Sequence, residues 1–178
     1  MKTKTLALIL TPVAIATVAA AATLFSASQG TSRTVESPPA AATSRAAFVQ
    51  AEAKWHTDIA KARRLAQAQG KPMLLDFTGS DWCGWCMKLD REIFATPEFN
   101  DYAAKHLVLV KVDFPHRREL PAAEREQNER LAAEFGVQGF PTLVVLDASG
   151  HPLDTLGYLR GGPEPFLAKL AEVTERKN

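Results

Sequence analysis

Apolar positions recur at two different spacings beyond residue 47, and the spacing changes where secondary structure should change. From Phe48 to about Ala68, the residues Phe48, Ala51, Trp55, Ile59, Ala62 and Ala66 repeat at three and four, with Lys54, Asp58, Lys61 and Arg64 on other faces. That spacing predicts an amphipathic helix, which Gly70 and Pro72 end. Met73 to Phe77 (MLLDF) is instead a short apolar run with one acid in it, as expected of a strand in a sheet covered on both faces. After TGSDWCGWC the helical spacing returns in MKLDREIF, where Met87, Leu89 or Asp90, Ile93 and Phe94 share a face and Met87 is expected to pack in the core.

Thr96-Pro97-Glu98 is a helix start leading through Asn100 and Tyr102, and Leu107 to Val112 (LVLVKV) predicts a second central strand ending at Asp113. A further helix is predicted from Pro121 to Phe135, with Ala123, Leu131 and Phe135 on one face and Gly136 at its stop. Its pairs Arg125-Glu129, Glu126-Arg130 and Arg130-Glu134 have the spacing of ion pairs on a solvated face. Thr142 to Leu146 and Leu153 to Tyr158 are two more strands, joined through Asp147-Ala148-Ser149-Gly150 closely enough for an antiparallel hairpin. Gly161-Gly162-Pro163 then precedes a last helix, from Pro165 to about Thr174. Long crossovers between the first three strands and a short turn before the fourth imply an α/β domain with a mixed sheet and helices on both faces.

The first part of the chain differs. No charged residue lies between Lys4 and Arg33, and Leu6 to Phe25 is almost wholly apolar, so residues 1–28 are expected to be a signal peptide or an N-terminal membrane anchor. Ser26-Ala27-Ser28 suits a signal peptidase, whereas the length of the apolar run suits retention, and both alternatives stand. Residues 29–47, rich in Ala, Ser, Thr and Pro, are expected to be a flexible linker, and residues 48–178 the folded domain. The location expected is outside the cytoplasm, periplasmic or membrane-anchored facing the periplasm. In composition the 178 residues are 46% hydrophobic with a formal net charge of +1, and no basic block is longer than two residues, which argues against a nucleic-acid partner.

Cys83 and Cys86 are the two cysteines. A pair this close closes too small a loop to staple a domain, so reversible chemistry is indicated. The four histidines lack the spacing of zinc ligands, and no metal site is expected. At a loop-to-helix junction, the unpaired N–H groups of the first turn stabilise the thiolate of Cys83 and lower its pKa from about 8.5. Cys86, one helical turn deeper, can attack a mixed disulfide formed by Cys83 and release the partner.

The run DFTGSDWCGWCMKLDREIF, the segment GVQGFPTLVVLDASG and the terminal GY…GG-P helix together resemble the thioredoxin superfamily, most closely its exported W-C-x-W-C disulfide oxidoreductase branch. The resemblance implies a thioredoxin-like fold with a central mixed β-sheet of about four to five strands flanked by helices. It implies that Cys83 is the attacking thiol, Cys86 the resolving thiol and Pro141 a cis-proline beside the disulfide, with Phe140 offering backbone to an incoming peptide. Asp76 matches the family's buried acid, but six residues rather than five separate it from Cys83, so a proton-transfer role and a structural one both remain open. Trp82 matches the tryptophan beside the site, and Trp85 stands where ordinary thioredoxins have proline; both are expected to contact substrate. Arg118, Asn128 and His116 are expected to be solvated surface.

The function expected is thiol–disulfide exchange that reduces or exchanges disulfides of exported proteins or small thiols, needing no cofactor beyond the Cys83–Cys86 pair. Electrons would come from a membrane electron donor or another thiol redox partner. The alternatives are a dedicated electron supplier in cytochrome maturation, a non-enzymatic peptide-binding or chaperone module, and a soft-metal carrier.

Overall fold

The computed structural model describes residues 53–176; the expected leader 1–28 and linker 29–47 lie outside them. In chain order the elements are β1 (Trp55–His56), α1 (Ile59–Gln69), β2 (Met73–Thr78), α2 (Gly84–Leu89), which runs into a π-helical turn (Asp90–Phe94), and α3 (Pro97–His106). They are followed by β3 (Val108–Asp113), α4 (Ala122–Glu134), β4 (Thr142–Leu146), β5 (Pro152–Leu156) and α5 (Pro163–Glu175). The five strands form one mixed sheet in the order β1-β3-β2-β4-β5. Strand β2 runs parallel to β3 and antiparallel to β4, and β4 and β5 make the expected hairpin.

Period-two alternation along β2 sends its side chains to two separate cores. Leu74 packs with Leu89, Ile93, Phe94, Phe99, Phe166 and Leu170, beneath α2, the π turn, α3 and α5. Met73, Leu75 and Phe77 pack on the other face with Ala62, Ala66 and Leu131 of α1 and α4. Every residue of β2 is therefore buried, the acid Asp76 included.

Several expectations need correction. Among the described residues the first helix begins at Ile59, after a strand at Trp55–His56, and the expected start near Phe48 lies outside them. Asp58 caps it by accepting the Lys61 N–H at 3.0 Å, and Trp55 instead lies in β1, opposite Leu109 and packed against Phe94. Met87 is 40% exposed, because Cys86 and Leu89 take the inward positions of the short α2. In α4, Ala123 is exposed, and Asn128, expected at the surface, is buried. Its amide donates to the Asp113 carbonyl at 2.9 Å and accepts from Gln127 Nε2 at 3.1 Å, and Gln127 in turn holds the backbone of Thr57 and Ile59. Of the ion pairs expected along α4, Glu126–Arg130 forms at 3.8 Å, while Glu134 reaches across to Arg63 at 3.3 Å.

Asn128→Ala leaves the Asp113 carbonyl without its buried donor. A loss of about 1–3 kcal/mol is expected, read as a lower denaturant midpoint with an unchanged slope.

Candidate functional site

Strand pairing decides where the site lies. Because β2 and β4 are antiparallel, with Phe77 opposite Thr142, the loop leaving β2 and the loop entering β4 meet at one end of the sheet. Because β3 is parallel to β2, with Thr78 opposite Asp113, the loop leaving β3 arrives there too. The first loop carries the cysteines, the second Phe140 and Pro141, and the third Phe114 to Arg118.

The chain turns after β2 through hydrogen bonds from the Trp82 and Cys83 N–H groups to the Gly79 carbonyl, at 3.2 and 2.9 Å. Cys83 has extended backbone and is the N-cap of α2. Its sulfur accepts the Cys86 N–H at 3.2 Å, a donor that a thiolate at Sγ would also use. The two residues form a disulfide with 5.2 Å between Cα atoms. Cys83 is 7% exposed and Cys86 3%, so the N-cap cysteine is the less buried residue of the two.

Alternation along β2 puts Asp76 on the face covered by α2. Asp76 and Cys86 line one open cavity of about 280 Å³, together with Asp90, Arg91 and Lys111. With the extra residue in the loop, the acid and the deeper cysteine still face one cavity. Burial pushes the Asp76 pKa up to about 7; Lys111, its neighbour across β3, works against that rise, and the charges of Asp90 and Asp113 add to it. Asp76 Oδ1 meets no protein donor.

The Phe140–Pro141 peptide bond is cis. The Phe140 ring lies edge-on to Trp82 at 5.9 Å and stacks on Phe114 at 5.1 Å. Trp82, 40% exposed, donates its indole N–H to the Phe114 carbonyl at 2.7 Å and stacks on His116 at 4.3 Å. Trp85, 53% exposed, leans instead on Tyr158, with Lys88 Nζ 5.2 Å from its ring. The large exposed apolar side chains among the described residues are Trp82, Trp85 and Met87, all within four positions of a cysteine.

Sequence reasoning missed Tyr158, Lys88, Ser80, Asp81 and Asp113 as neighbours of the site. His116 is exposed, as expected, but serves as the stacking partner of Trp82. Arg118 is paired with the buried Asp113 carboxylate rather than simply solvated. The one available signal was the acid closing LVLVKVD, an ionisable residue where a strand buried on both faces ends. Among the described residues no group of three or more His, Cys, Asp or Glu side chains is placed to hold a metal ion, and no helix is long and apolar enough to cross a membrane.

Residues 59–174 match the thioredoxin-like domain family. The disulfide bond reductase DsbH of Chlamydia pneumoniae is 39% identical over 120 residues, which cover 67% of this chain and 72% of that protein. A solved structure of a DsbH oxidoreductase superposes with a TM-score of 0.67 at 35% identity, covering 83% of this chain and 95% of the other. The thiol:disulfide interchange protein DsbD of Cronobacter sakazakii is 33% identical over 91 residues, 51% of this chain but 14% of that protein. With a cysteine pair at the start of α2, an acid beneath it and these relatives, the chain belongs to the thioredoxin-like domain family and is a thiol–disulfide oxidoreductase.

Proposed function

We propose that the protein works in the reducing direction on disulfides of exported proteins, outside the cytoplasm, and is itself re-reduced by a thiol donor at the membrane. The observation that carries this reading is the pairing of an N-cap Cys83, whose sulfur accepts the Cys86 N–H, with a buried Asp76 that shares a cavity with Cys86. The name of the DsbH relative, a disulfide bond reductase, supports the direction. Thioredoxin-fold pairs range from roughly −270 to −120 mV, so the direction is decided by measuring the potential.

In the dithiol form, the Cys83 thiolate attacks one sulfur of a client disulfide. The S–S bond breaks, a mixed disulfide forms, and the departing client thiolate takes up a proton. Cys86 then loses its proton to the Asp76 carboxylate through the shared cavity and attacks Cys83 Sγ. That step releases the second client thiol and closes the Cys83–Cys86 disulfide, so two electrons have passed to the client. A carboxyl with a pKa of about 7 suits this work, being able to take and return a proton near neutrality. The exposed indoles of Trp82 and Trp85 and the backbone of Phe140 and Pro141 form the surface against which the client segment rests. Residues 1–28 deliver the domain across the membrane or hold it there, and 29–47 tether it.

Cys86→Ser should accumulate mixed disulfides with client proteins, seen as thiol-sensitive bands on non-reducing gels, and Cys83→Ser should give none. Equilibration with glutathione should place the pair near the reducing end of the range; a value near the oxidising end reverses the assigned direction.

Asp76 also ties stability to pH. The folded protein holds this proton up to about pH 7, whereas the unfolded chain loses it near 3.8, so between these values the folded state binds more protons and stability falls as pH rises. Asp76→Asn removes that penalty. Its stability relative to the parent should rise between pH 4 and pH 8, by on the order of a few kcal/mol in denaturant unfolding of the oxidised form. The same variant should slow release of the mixed disulfide near pH 7 by about tenfold or more.

A further inference from the structure

The loop between β2 and Cys83 is fastened to the end of β3 and the loop after it through Ser80, Asp81 and Trp82. Gly79 supplies the carbonyl that turns the chain, and the preceding Thr78 carbonyl accepts the Phe114 N–H at 2.8 Å. Ser80 donates its N–H and its hydroxyl to the two oxygens of Asp113, at 2.9 and 2.6 Å. Asp113 is buried and is further held by the Arg118 guanidinium, while its own carbonyl is held by Asn128. Asp81 accepts the N–H groups of His116 and Arg117 at 2.9 and 2.8 Å, and the first of these keeps its carboxyl below the ordinary range. Trp82 donates its indole N–H to Phe114 and lies flat on His116, with ring planes 6° apart.

Two aspartates thus grip across the gap in opposite directions. Asp113, on the β3 side, holds Ser80; Asp81, on the cysteine side, holds His116 and Arg117. Hydrogen bonds to carboxylates are stronger than neutral ones, and a reciprocal pair restrains both translation and rotation of a loop. Gly79 completes the arrangement, because a Cβ there would overlap the Trp82 indole. What the clasp fixes is the Trp82 ring, stacked on His116 and in T-shaped contact with Phe140.

We propose that Asp81 and Asp113 are positioning residues that hold the Trp82 ring against Phe140 of the β4 entry loop, and that the surface so fixed favours an extended protein segment over a small disulfide as substrate. This rests on the reductase reading above. A small disulfide needs only access to Cys83 Sγ. A protein segment must also lie across the surface made by the indole and the β4 entry loop, where a displacement of about 1 Å is costly. Neither aspartate touches the reacting sulfurs.

The test compares the parent with Asp81→Asn, Asp113→Asn and Gly79→Ala, using insulin as the protein disulfide with dithiothreitol as reductant, and dithiobis(nitrobenzoate) as the small one in a single turnover of pre-reduced protein freed of dithiothreitol. Each variant should lower kcat/KM for insulin about tenfold, chiefly through KM, while the small-disulfide rate and the equilibrium constant with glutathione change less than about twofold. An equal fall for both substrates, or an unchanged insulin KM, overturns the proposal. Should Asp113→Asn not fold, judged by its thermal unfolding, Asp81→Asn at an exposed carboxylate and Gly79→Ala decide the matter. A parent protein that reduces the small disulfide but not insulin would instead overturn the reading that it acts on protein disulfides, so the two failures are distinct.

Discussion

Strand β2 is hydrogen-bonded along its length on both sides, parallel to β3 and antiparallel to β4, and everything at the site depends on that double pairing. Parallel pairing brings the end of β3 level with the end of β2. Antiparallel pairing brings the beginning of β4 to the same place. Three loops distant in sequence are therefore forced together by backbone geometry before any side chain is considered, and each brings a different component: cysteines, the Phe140–Pro141 peptide, and the Phe114–Arg118 segment.

The same pairing buries Asp76. A strand with neighbours on both sides and helices on both faces leaves its alternating side chains little contact with bulk water, so an acid there pays a desolvation penalty and holds its proton unusually far up the pH scale. Asp113 lies on the same face of the adjacent strand and is buried as well, but it is surrounded by donors, Ser80 and Arg118. Two carboxylates two positions apart in register are thus put to opposite uses, one kept poor in partners next to Cys86 and the other saturated with hydrogen bonds to hold a loop.

Much of this was legible in the chain because the central strands are continuous apolar runs, whose burial does not depend on distant partners. MLLDF, LVLVKV and TLVVL all read as strands, and the W-C-G-W-C junction read as the start of a helix. The failures share a cause. Trp55 stands four residues before Ile59 and fits a helical repeat, yet it pairs with β3; the better local signal was Asp58, the side chain able to cap a helix starting at Ile59. Asn128 sits among Glu, Arg and Gln, so composition assigns it to water, whereas its partner is a backbone carbonyl fifteen residues away that no pattern announces. Met87 has the spacing of a core residue, but α2 is too short to present a full inward stripe. Ser80 and Asp81 look like ordinary turn residues until the β3 loop is seen to lie against them.

The sheet's margins bear on the proposed encounters with other protein chains. One edge strand, β1, is two residues long. The other, β5, opens on Pro152, is offset from β4 by an irregularity at Val145 and Leu146, and turns the Asp154 carboxylate back on the N–H of Thr155. Short, proline-bearing and irregular edges are poor templates for strand addition. Partly folded chains gathering around this domain find few free backbone groups in register to extend, so an encounter at the cysteines is not readily converted into the cross-strand growth that seeds aggregates.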